Sequence, residues 1–318
     1  MRRLGVILCF MLQASLAAQG PFDPPAGMAG SSAINKDSSL ISGWAQNIEI
    51  WRGYQDIARP GLGKVSHGDT ADALGPADGM AVSFGDSGYV LISLPEALYD
   101  QAGPEFAVFE NSFSDQYLEL ARVAVSADGQ HFFNFPAVSL TDTQNQVGSF
   151  GSIDARQIQN LAGKYRKDYG TPFDLADIRE PALPDSIFYL RITDVVGSID
   201  ANFGTRDSRG KLINDPYPTA FASGGFDLDA VAFLTASSLE LMDFETSVNL
   251  FYPNPSHGII HFKERMKQIR VYSLSGELIM SSYPKQKRLS LEDLKAGIYI
   301  IQMLDDSDQW HRAKLYRQ

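Results

Sequence analysis

The chain has 318 residues, of which 44% are hydrophobic, and its formal net charge is −11. This length and apolar fraction suffice to bury one substantial core and a second, small one. An acidic chain is repelled by nucleic acid and by anionic lipid, so the charge argues against nucleic-acid binding. The charge is compatible with cation binding, and it also suits a protein that stays soluble outside the cell.

The N-terminus has the pattern of a secretory signal peptide. Two arginines precede an apolar run, Leu4–Leu12, and small residues follow it. This run is too short for a membrane span, so no transmembrane segment is predicted. We place the cleavage between Ala18 and Gln19, which makes residues 1–18 the signal peptide. The single cysteine, Cys9, is removed with it, and the mature chain is expected to have no disulfide.

Residues 19–236 are predicted to form one all-β domain, a jelly-roll-like β-sandwich. Short runs of Val, Ile, Phe and Tyr alternate with Gly, Asp, Asn and Pro, as is typical of such folds. The predicted strands are Ala45–Ile50, Ala81–Phe84, Gly88–Leu94, Phe106–Glu110, Glu119–Ser126, His131–Phe135, Ile187–Ile192 and Leu228–Leu234. One helical insertion is expected over Ile153–Arg166, because its apolar residues recur at helical spacing.

Four carboxylates form the first candidate site. Side chains alternate along a strand, so Glu110 shares the apolar face of its strand, as Glu119 does in the next. If these strands pair as a hairpin, both carboxylates meet at its loop end, and Asp227 and Asp229 share one face of a later strand. Inward-facing carboxylates need a cation, a hydrogen-bond network or a proton. Three interpretations stay open: a Ca²⁺ site with these four ligands, an acid/base pair, or a rim of structural carboxylates.

A long loop and two tryptophans are candidates for ligand binding. The stretch Gly197–Gly225 lacks a convincing strand, and loops of this length often bind ligands, although it is otherwise a surface cover for the sandwich. Its candidate contact residues are Asp207, Asp215 and Tyr217. Trp44 and Trp51 would suit stacking on a sugar face if they are exposed, but rings in a sandwich more often pack inside it.

The strongest motif lies near the C-terminus. A Tyr-Pro-Asn-Pro opening with a following glycine precedes a central hairpin, a Leu-x-x-Gly-Ile-Tyr strand and a basic end. The motif residues are Tyr252, Pro253, Asn254, Pro255, Gly258, Gly276, Gly297 and Tyr299. In order and spacing these elements resemble the type A C-terminal sorting domain of the type IX secretion system of Bacteroidota. The resemblance covers residues 249–318, after a linker at 237–248. It implies a small Ig-like β-sandwich, recognition by the type IX machinery, and export to the cell surface or beyond.

The preceding domain has a resemblance of its own. The runs Ala73–Gly79, Val82–Gly88, Phe106–Asn111 and Ser223–Val231 are similar to those of a group of secreted bacterial jelly-roll-like proteins. The likeness covers about residues 61–233. Carbohydrate-binding and discoidin-like domains of similar texture commonly hold a structural calcium ion, which makes Ca²⁺ the expected cofactor. A likeness of fold assigns no ligand.

Three functions therefore stay open. The first is an exported binding module whose calcium-supported sandwich captures a glycan or another small nutrient. The second is a surface polysaccharide hydrolase, which needs a carboxylate pair about 5–10 Å apart across an open cleft. The third is an adhesive or structural surface protein. We expect the first, and so assign no catalytic residue.

Overall fold

The computed structural model describes residues 20–235, 250–274, 278–282, 286–306 and 310–318. The predicted cleavage at Ala18 and Gln19, the linker at 237–248 and Gly276 lie outside these ranges. The described residues form strands and 3₁₀ turns of three or four residues, so the all-β prediction is confirmed. Among them, no helix has the length and apolar character needed to cross a membrane.

The first domain is a sandwich of two antiparallel sheets. Its strands are β1 (Ile34–Asn35), β2 (Ile41–Trp44), β3 (Ile48–Trp51), β4 (Val82–Ser83), β5 (Tyr89–Leu98), β6 (Phe106–Glu110), β7 (Ala121–Ser126), β8 (Phe133–Asn134), β9 (Val138–Ser139), β10 (Ile158–Gln159), β11 (Tyr169–Phe173), β12 (Ile187–Asp194) and β13 (Asp227–Leu234). Sheet I has the order β1-β11-β6-β13-β2, with β4 also paired to β13. Sheet II has the order β3-β5-β12-β7-β8, and β9 and β10 form a separate two-stranded ribbon.

The two sheets differ in how they are covered. Phe106 and Val108 of β6 join the core between the sheets, while Ala107 and Phe109 join a second apolar cluster on the outer face of sheet I. Every residue of β6 is therefore buried. In sheet II the burial of β12 alternates instead, with Ile192 in the core and its neighbours half-buried. Sheet I is thus buried on both faces, and sheet II leaves one face to solvent.

The helical insertion predicted over Ile153–Arg166 is wrong. Ala155–Gln157 forms a single 3₁₀ turn and β10 follows it at once. Asn160 and Gly163 have φ values of 52° and 79°, a left-handed backbone that interrupts a helix. A Cβ atom at Gly163 would lie 1.9 Å from the carbonyl oxygen of Glu119, so the chain approaches closely where only glycine fits. The apolar residues of the segment are buried, but in extended and irregular backbone.

The predicted hairpin of β6 and β7 is also wrong. β6 pairs with β11 and β13 in sheet I, while β7 pairs with β12 and β8 in sheet II. The connection at residues 111–120 is longer than a tight hairpin loop, and it crosses from one sheet to the other. Of the predicted strand Ala45–Ile50, the part from Ile48 onward lies in β3 of sheet II, and residues 45–47 connect it to β2 of sheet I.

The C-terminal segment forms a second, smaller sandwich, as predicted. Its strands are β14 (Phe251–Tyr252), β15 (Ile259–Met266), β16 (Gln268–Tyr272), β17 (Leu278–Ser282), β18 (Gln286–Ser290), β19 (Gly297–Leu304) and β20 (Trp310–Arg317). One sheet has the order β14-β15-β18 and the other the order β17-β16-β19-β20. Buried side chains such as Phe262, Val271 and Ile301 fill a core of its own.

Candidate functional site

Three of the four carboxylates predicted as metal ligands lie close together. Burial raises the pKa of Glu110 well above its ordinary value, and the charges of Glu119 and Asp227 raise it further. Burial and the charge of Asp227 also raise the pKa of Glu119. Burial raises the pKa of Asp227 to about 6. The charges of Glu119 and Asp227 that act on Glu110, and that of Asp227 on Glu119, place these three groups in one electrostatic cluster.

Neutral donors bind this cluster. The pairs are Glu110 with the backbone amide of Ser112 at 2.8 Å, Glu119 with the hydroxyl of Tyr117, and Asp227 with the hydroxyl of Ser83. Each pair compensates part of the desolvation of its carboxylate. None of these donors carries a positive charge; the charge of His67 lowers the pKa of Asp227 in part, but burial outweighs it.

The fourth predicted ligand, Asp229, has different surroundings. Its carboxylate accepts hydrogen bonds from the backbone amides of Asp78 and Gly79, each at 3.1 Å. The pairing of β13 with β6 shifts register between Leu228 and Ala230, and Asp229 is the residue between them. A shift of this kind re-aims the side chain that carries it. Asp229 therefore fixes a loop of the backbone.

A second group of buried aspartates adjoins the first. Burial raises the pKa of Asp194 and Asp215, and it raises that of Asp86 to about 6. Each of them accepts a backbone hydrogen bond, as Asp215 does from Leu120 at 2.9 Å. The charge of Asp194 also raises the pKa of Glu119, which connects the two groups. Asp215, predicted as a ligand contact, is thus part of a buried acidic interior.

Glu110, Glu119 and Asp227 do not bring one carboxylate oxygen each within 4.8 Å of one another. Calcium takes six to eight oxygens at 2.3–2.6 Å, so its ligand atoms lie close to one another. Among the described residues, one group of three acidic side chains does bring its ligand atoms within 4.8 Å of one another. It consists of Asp100, Glu105 and Asp174. In that group Glu105 is buried, and its two oxygens accept from the amides of Gln101 and Leu175 at 2.9 and 2.7 Å. Glu105 thus has hydrogen-bond donors of its own, as the three cluster carboxylates do, and the calcium site stays a prediction of the sequence.

The other predicted loop contacts support the loop itself. Asp207 accepts hydrogen bonds from the backbone amides of Arg209 and Lys211, each at 2.9 Å. Tyr217 donates its hydroxyl to Asp56 at 3.1 Å, and burial and this bond raise the pKa of Tyr217. These contacts order the long loop Gly197–Gly225.

The two tryptophans lie in different sheets. Trp44, in β2, packs against Phe109 on the covered face of sheet I, with ring centroids 5.4 Å apart. Trp51, in β3, is 42% exposed and stacks on Tyr89 of the neighbouring strand, with centroids 4.8 Å apart. Trp51 therefore keeps a surface for a ligand, and Trp44 mainly packs.

Sequence reasoning missed a row of four aromatic rings, three of them exposed and Tyr117 half-buried, which we call the aromatic ladder: Phe113, Tyr117, Phe150 and Phe221. Their successive ring centroids are 4.8, 6.2 and 5.7 Å apart, and neighbouring planes differ by 30° or less. Phe113 and Phe150 are 76% and 73% exposed. Tyr117 also joins the ladder to the carboxylate cluster, because its hydroxyl bonds to Glu119.

Three loops assemble the ladder, and hydrogen bonds tie them together. The rings come from the connections between β6 and β7, between β9 and β10, and between β12 and β13. Ser149 donates its hydroxyl to the carbonyl of Pro218 at 2.7 Å, and Ile153 donates its amide to the carbonyl of Gln116 at 2.9 Å. The predicted binding loop thus contributes one ring. The signal available in the sequence was a phenylalanine among polar loop residues, as Phe150 is between Ser149 and Gly151.

A cavity of about 500 Å³ lies elsewhere in the first domain, and it shares no lining residue with the aromatic ladder. Lys164 and Thr171, both buried, line it. Burial lowers the pKa of Lys164 to about 8. Within the described part of the chain, the hydroxyl of Thr171 has no hydrogen-bond partner.

In the second sandwich, the Tyr-Pro-Asn-Pro motif is fixed against β20. The side-chain amide of Asn254 donates to the carbonyl of Lys314 at 2.8 Å and accepts from the amide of Tyr316 at 2.8 Å. Ser256 and Arg317 form a parallel bridge next to it. Tyr299 of the same motif set donates its hydroxyl to a backbone carbonyl at 2.9 Å. The motif residues are therefore structural contacts of one fold.

Comparison with known proteins agrees with this geometry. Residues 250–315 match the family model described as "Secretion system C-terminal sorting domain". No curated protein matches the chain. Among solved structures, it is similar to a b-glucuronidase from Ruminococcus gnavus in complex with N1-substituted uronic isofagomine, at 12% identity and a TM-score of 0.21. The match covers 87% of this chain and 45% of that one, and a TM-score this low carries no argument. The tail at 250–315 is a sorting domain, and the type IX secretion machinery exports the protein to the cell surface or beyond.

Proposed function

We propose that the first domain is an exported binding module that holds a glycan on the aromatic ladder. The observation that supports this best is the exposure of Phe113 and Phe150, about three quarters of each ring, within one ordered row. Apolar surface in water is unfavourable, and the C–H face of a sugar ring covers such a ring without losing its own hydroxyl hydration. Contiguous exposed aromatic surface on a soluble protein marks an interaction site.

The loop chemistry around the ladder favours a polar ligand. Ser114 and Gln116 stand in the same loop as Phe113 and are open to solvent at least in part. Arg166 pairs with Asp115 at 2.6 Å, so the charges of this loop are balanced. Hydroxyl groups at the edge of a sugar would find donors and acceptors there, with an apolar platform beside them.

Binding is better supported than hydrolysis. Glu110 and Glu119 are 1% and 7% exposed, and a glycosidic bond needs carboxylates that reach it across an open cleft. A calcium ion at the four predicted carboxylates stays a prediction of the sequence. The proposed binding needs no ion at these residues, and Glu110, Glu119 and Asp227 do not bring one carboxylate oxygen each within 4.8 Å of one another.

The test is glycan binding by the mature chain, measured by calorimetry and affinity electrophoresis over a panel of polysaccharides. We expect Phe113→Ala and Phe150→Ala each to weaken binding about tenfold, the size of effect that loss of a central aromatic contact produces. Tyr99→Ala is the matched control, because Tyr99 is an exposed ring outside the ladder. The proposal is wrong if no glycan of the panel binds, or if the ladder variants bind as tightly as the control.

A further inference from the structure

Two arginines lie side by side on the open face of sheet II. Arg122 of β7 pairs across with Thr193 of β12, and Arg191 of β12 pairs with Ala124 of β7. Alternate residues of a strand share a face, and diagonal neighbours on adjacent strands are within reach of long side chains. Both guanidinium groups therefore lie on the outer side of the sheet, opposite the core residue Ile192.

These two arginines lack compensating charge. Burial lowers the pKa of Arg122, and burial together with the charge of Arg122 lowers that of Arg191. In the described part of the chain, neither arginine forms an ion pair with a carboxylate, and the buried Nε atom of Arg122 has no hydrogen-bond partner. The chain has 38 acidic and 27 basic residues, so two adjacent cations without an acidic partner stand out. An anion placed between them would relieve their repulsion.

The space beside Arg122 is open and partly polar. A cavity of about 200 Å³ is lined by Arg122 together with Arg206 and Ser208. Asp207 also lines it, but backbone amides of its own loop already bind the carboxylate. On the other side, the guanidinium of Arg191 lies over the ring of Phe132, 4.0 Å from its centroid. This contact holds Arg191 in place without neutralising it.

An aromatic pair continues the same face. Trp51 pairs across with Tyr89, Tyr89 with Thr193, and Thr193 with Arg122, so the four form one row across β3, β5, β12 and β7. The rings of Trp51 and Tyr89 are stacked at 4.8 Å. Neighbouring strands are about 4.8 Å apart, which puts the backbone of Trp51 about 14 Å from that of Arg122. An extended ligand is needed to reach both ends.

We propose that this face binds an acidic oligosaccharide, with a sugar-borne anion held between Arg122 and Arg191 and a sugar ring on the Trp51 side. Guanidinium groups bind carboxylate and sulfate oxygens with paired hydrogen bonds, and the flat ring of a tryptophan suits a sugar face. This site shares no residue with the aromatic ladder, and the proposal does not depend on the ladder.

The test uses the mature chain with polygalacturonate, dextran sulfate and neutral dextran as probes, in affinity electrophoresis and calorimetry. We expect binding of at least one anionic polymer, and at least a tenfold loss of it in Arg122→Gln and Arg191→Gln. Comparison of the first two polymers shows whether the anion is a carboxylate or a sulfate. Arg179→Gln, at an exposed arginine in the connection that precedes β12, is the control and is expected to bind normally. Failure of both anionic probes overturns the proposal, as does an equal loss in the control.

Two further measurements distinguish an anion site from a structural arginine pair and from binding at the aromatic ladder. Because the arginines repel each other, Arg122→Gln is expected to keep or raise the melting temperature. A lower melting temperature would identify Arg122 as a structural residue and overturn the premise. Phe113→Ala is expected to leave binding of the anionic polymer unchanged, and a loss there would assign the binding to the aromatic ladder instead.

Discussion

The charge of Glu119 raises the pKa of Glu110 from the other side of the sandwich. Glu110 ends β6 in sheet I, and Glu119 lies two residues ahead of β7 in sheet II. Asp227 adds its charge to both. Because like charges repel strongly where water is excluded, the folded chain holds protons here that the unfolded chain releases.

We therefore expect stability to fall as the pH rises. The pKa is raised to about 6 in Asp86 and Asp227 and to about 7 in Glu105, from ordinary values of 3.8 and 4.5. A group whose pKa is raised in the folded chain contributes stability that is fully present below the pKa of the unfolded chain. This stability is lost as the pH rises through the pKa of the folded chain. The window is thus about pH 4 to 7, with roughly 3 kcal/mol at stake per group. Urea unfolding between pH 5 and pH 8 measures it, and a free energy of unfolding that rises over this range contradicts it.

Replacing the carboxylate of Glu110 by an amide should weaken this dependence of stability on pH. Glu110→Gln removes a group that must take up a proton to be buried and keeps an acceptor for Ser112, so the melting temperature should rise at pH 8 and change little at pH 5. Asp128→Asn is the matched control with the opposite sign. Hydrogen bonds from His131 lower the pKa of Asp128, so its ionised form is favoured and its loss should destabilise at neutral pH. Equal effects of the two variants at pH 8 would contradict the assignment.

Calcium offers a third test of the same groups. Glu110, Glu119 and Asp227 do not bring one carboxylate oxygen each within 4.8 Å of one another. We therefore expect about 5 mM Ca²⁺ to raise the melting temperature at pH 8 no more than the same concentration of Mg²⁺ does. This concentration exceeds the dissociation constants of extracellular calcium sites, which are about 0.1–1 mM. A calcium-specific increase, reversed by EDTA and lost in Glu110→Gln, would instead support the calcium site predicted from the sequence.

Lys164 should show the opposite pH dependence. Burial lowers its pKa from 10.5 to about 8, so the charged form is disfavoured in the folded chain, and stability is lost as the pH falls from 10.5 to about 8. Lys164→Met is expected to stabilise the protein at pH 7 by up to about 3 kcal/mol, and less as the pH approaches 10. Lys64→Met, at an exposed lysine, is expected to have little effect at either pH. Destabilisation by Lys164→Met at pH 7 would show that the amine makes a needed contact.

The tail motif yields a prediction about export. Asn254→Ala removes two hydrogen bonds to β20, a loss of about 1–2 kcal/mol, and leaves a loop end of the sorting domain unsupported. We expect more of the protein to stay in the periplasm, as measured by immunoblots of cell fractions. His257→Ala, at an exposed residue beside the motif, is expected to be exported normally. Normal export of the Asn254→Ala protein would mean that the motif tolerates loss of this contact.

The sequence predicted local features better than pairings. Alternation is visible where one face of a strand is buried, as around Ile92 of β5, and the all-β class follows from it. β6 is buried on both faces, so its pattern does not say which strands flank it. The segment Ile153–Arg166 has apolar residues at helical spacing, but left-handed backbone at Asn160 and Gly163 and tertiary contacts decide its course.

The same distinction between local features and pairings applies to the candidate sites. Inward orientation of Glu110, Glu119 and Asp227 was readable from strand periodicity, whereas the register shift in β13 that sets Asp229 apart depends on its partner strand. The aromatic ladder was not readable, because its rings come from three loops that only tertiary hydrogen bonds bring together. The arginine pair likewise required the register of β7 against β12.

The loop origin of the aromatic ladder has an evolutionary consequence. Its rings project from three connections, while the buried carboxylates and both sheets lie beneath them. A substitution at Phe113, Phe150 or Phe221 changes the outer surface without opening a cavity in the core. Such substitutions therefore cost little stability and are not removed by selection on that ground. With the proposed glycan on the ladder, ligand preference can diverge one loop at a time on a constant scaffold.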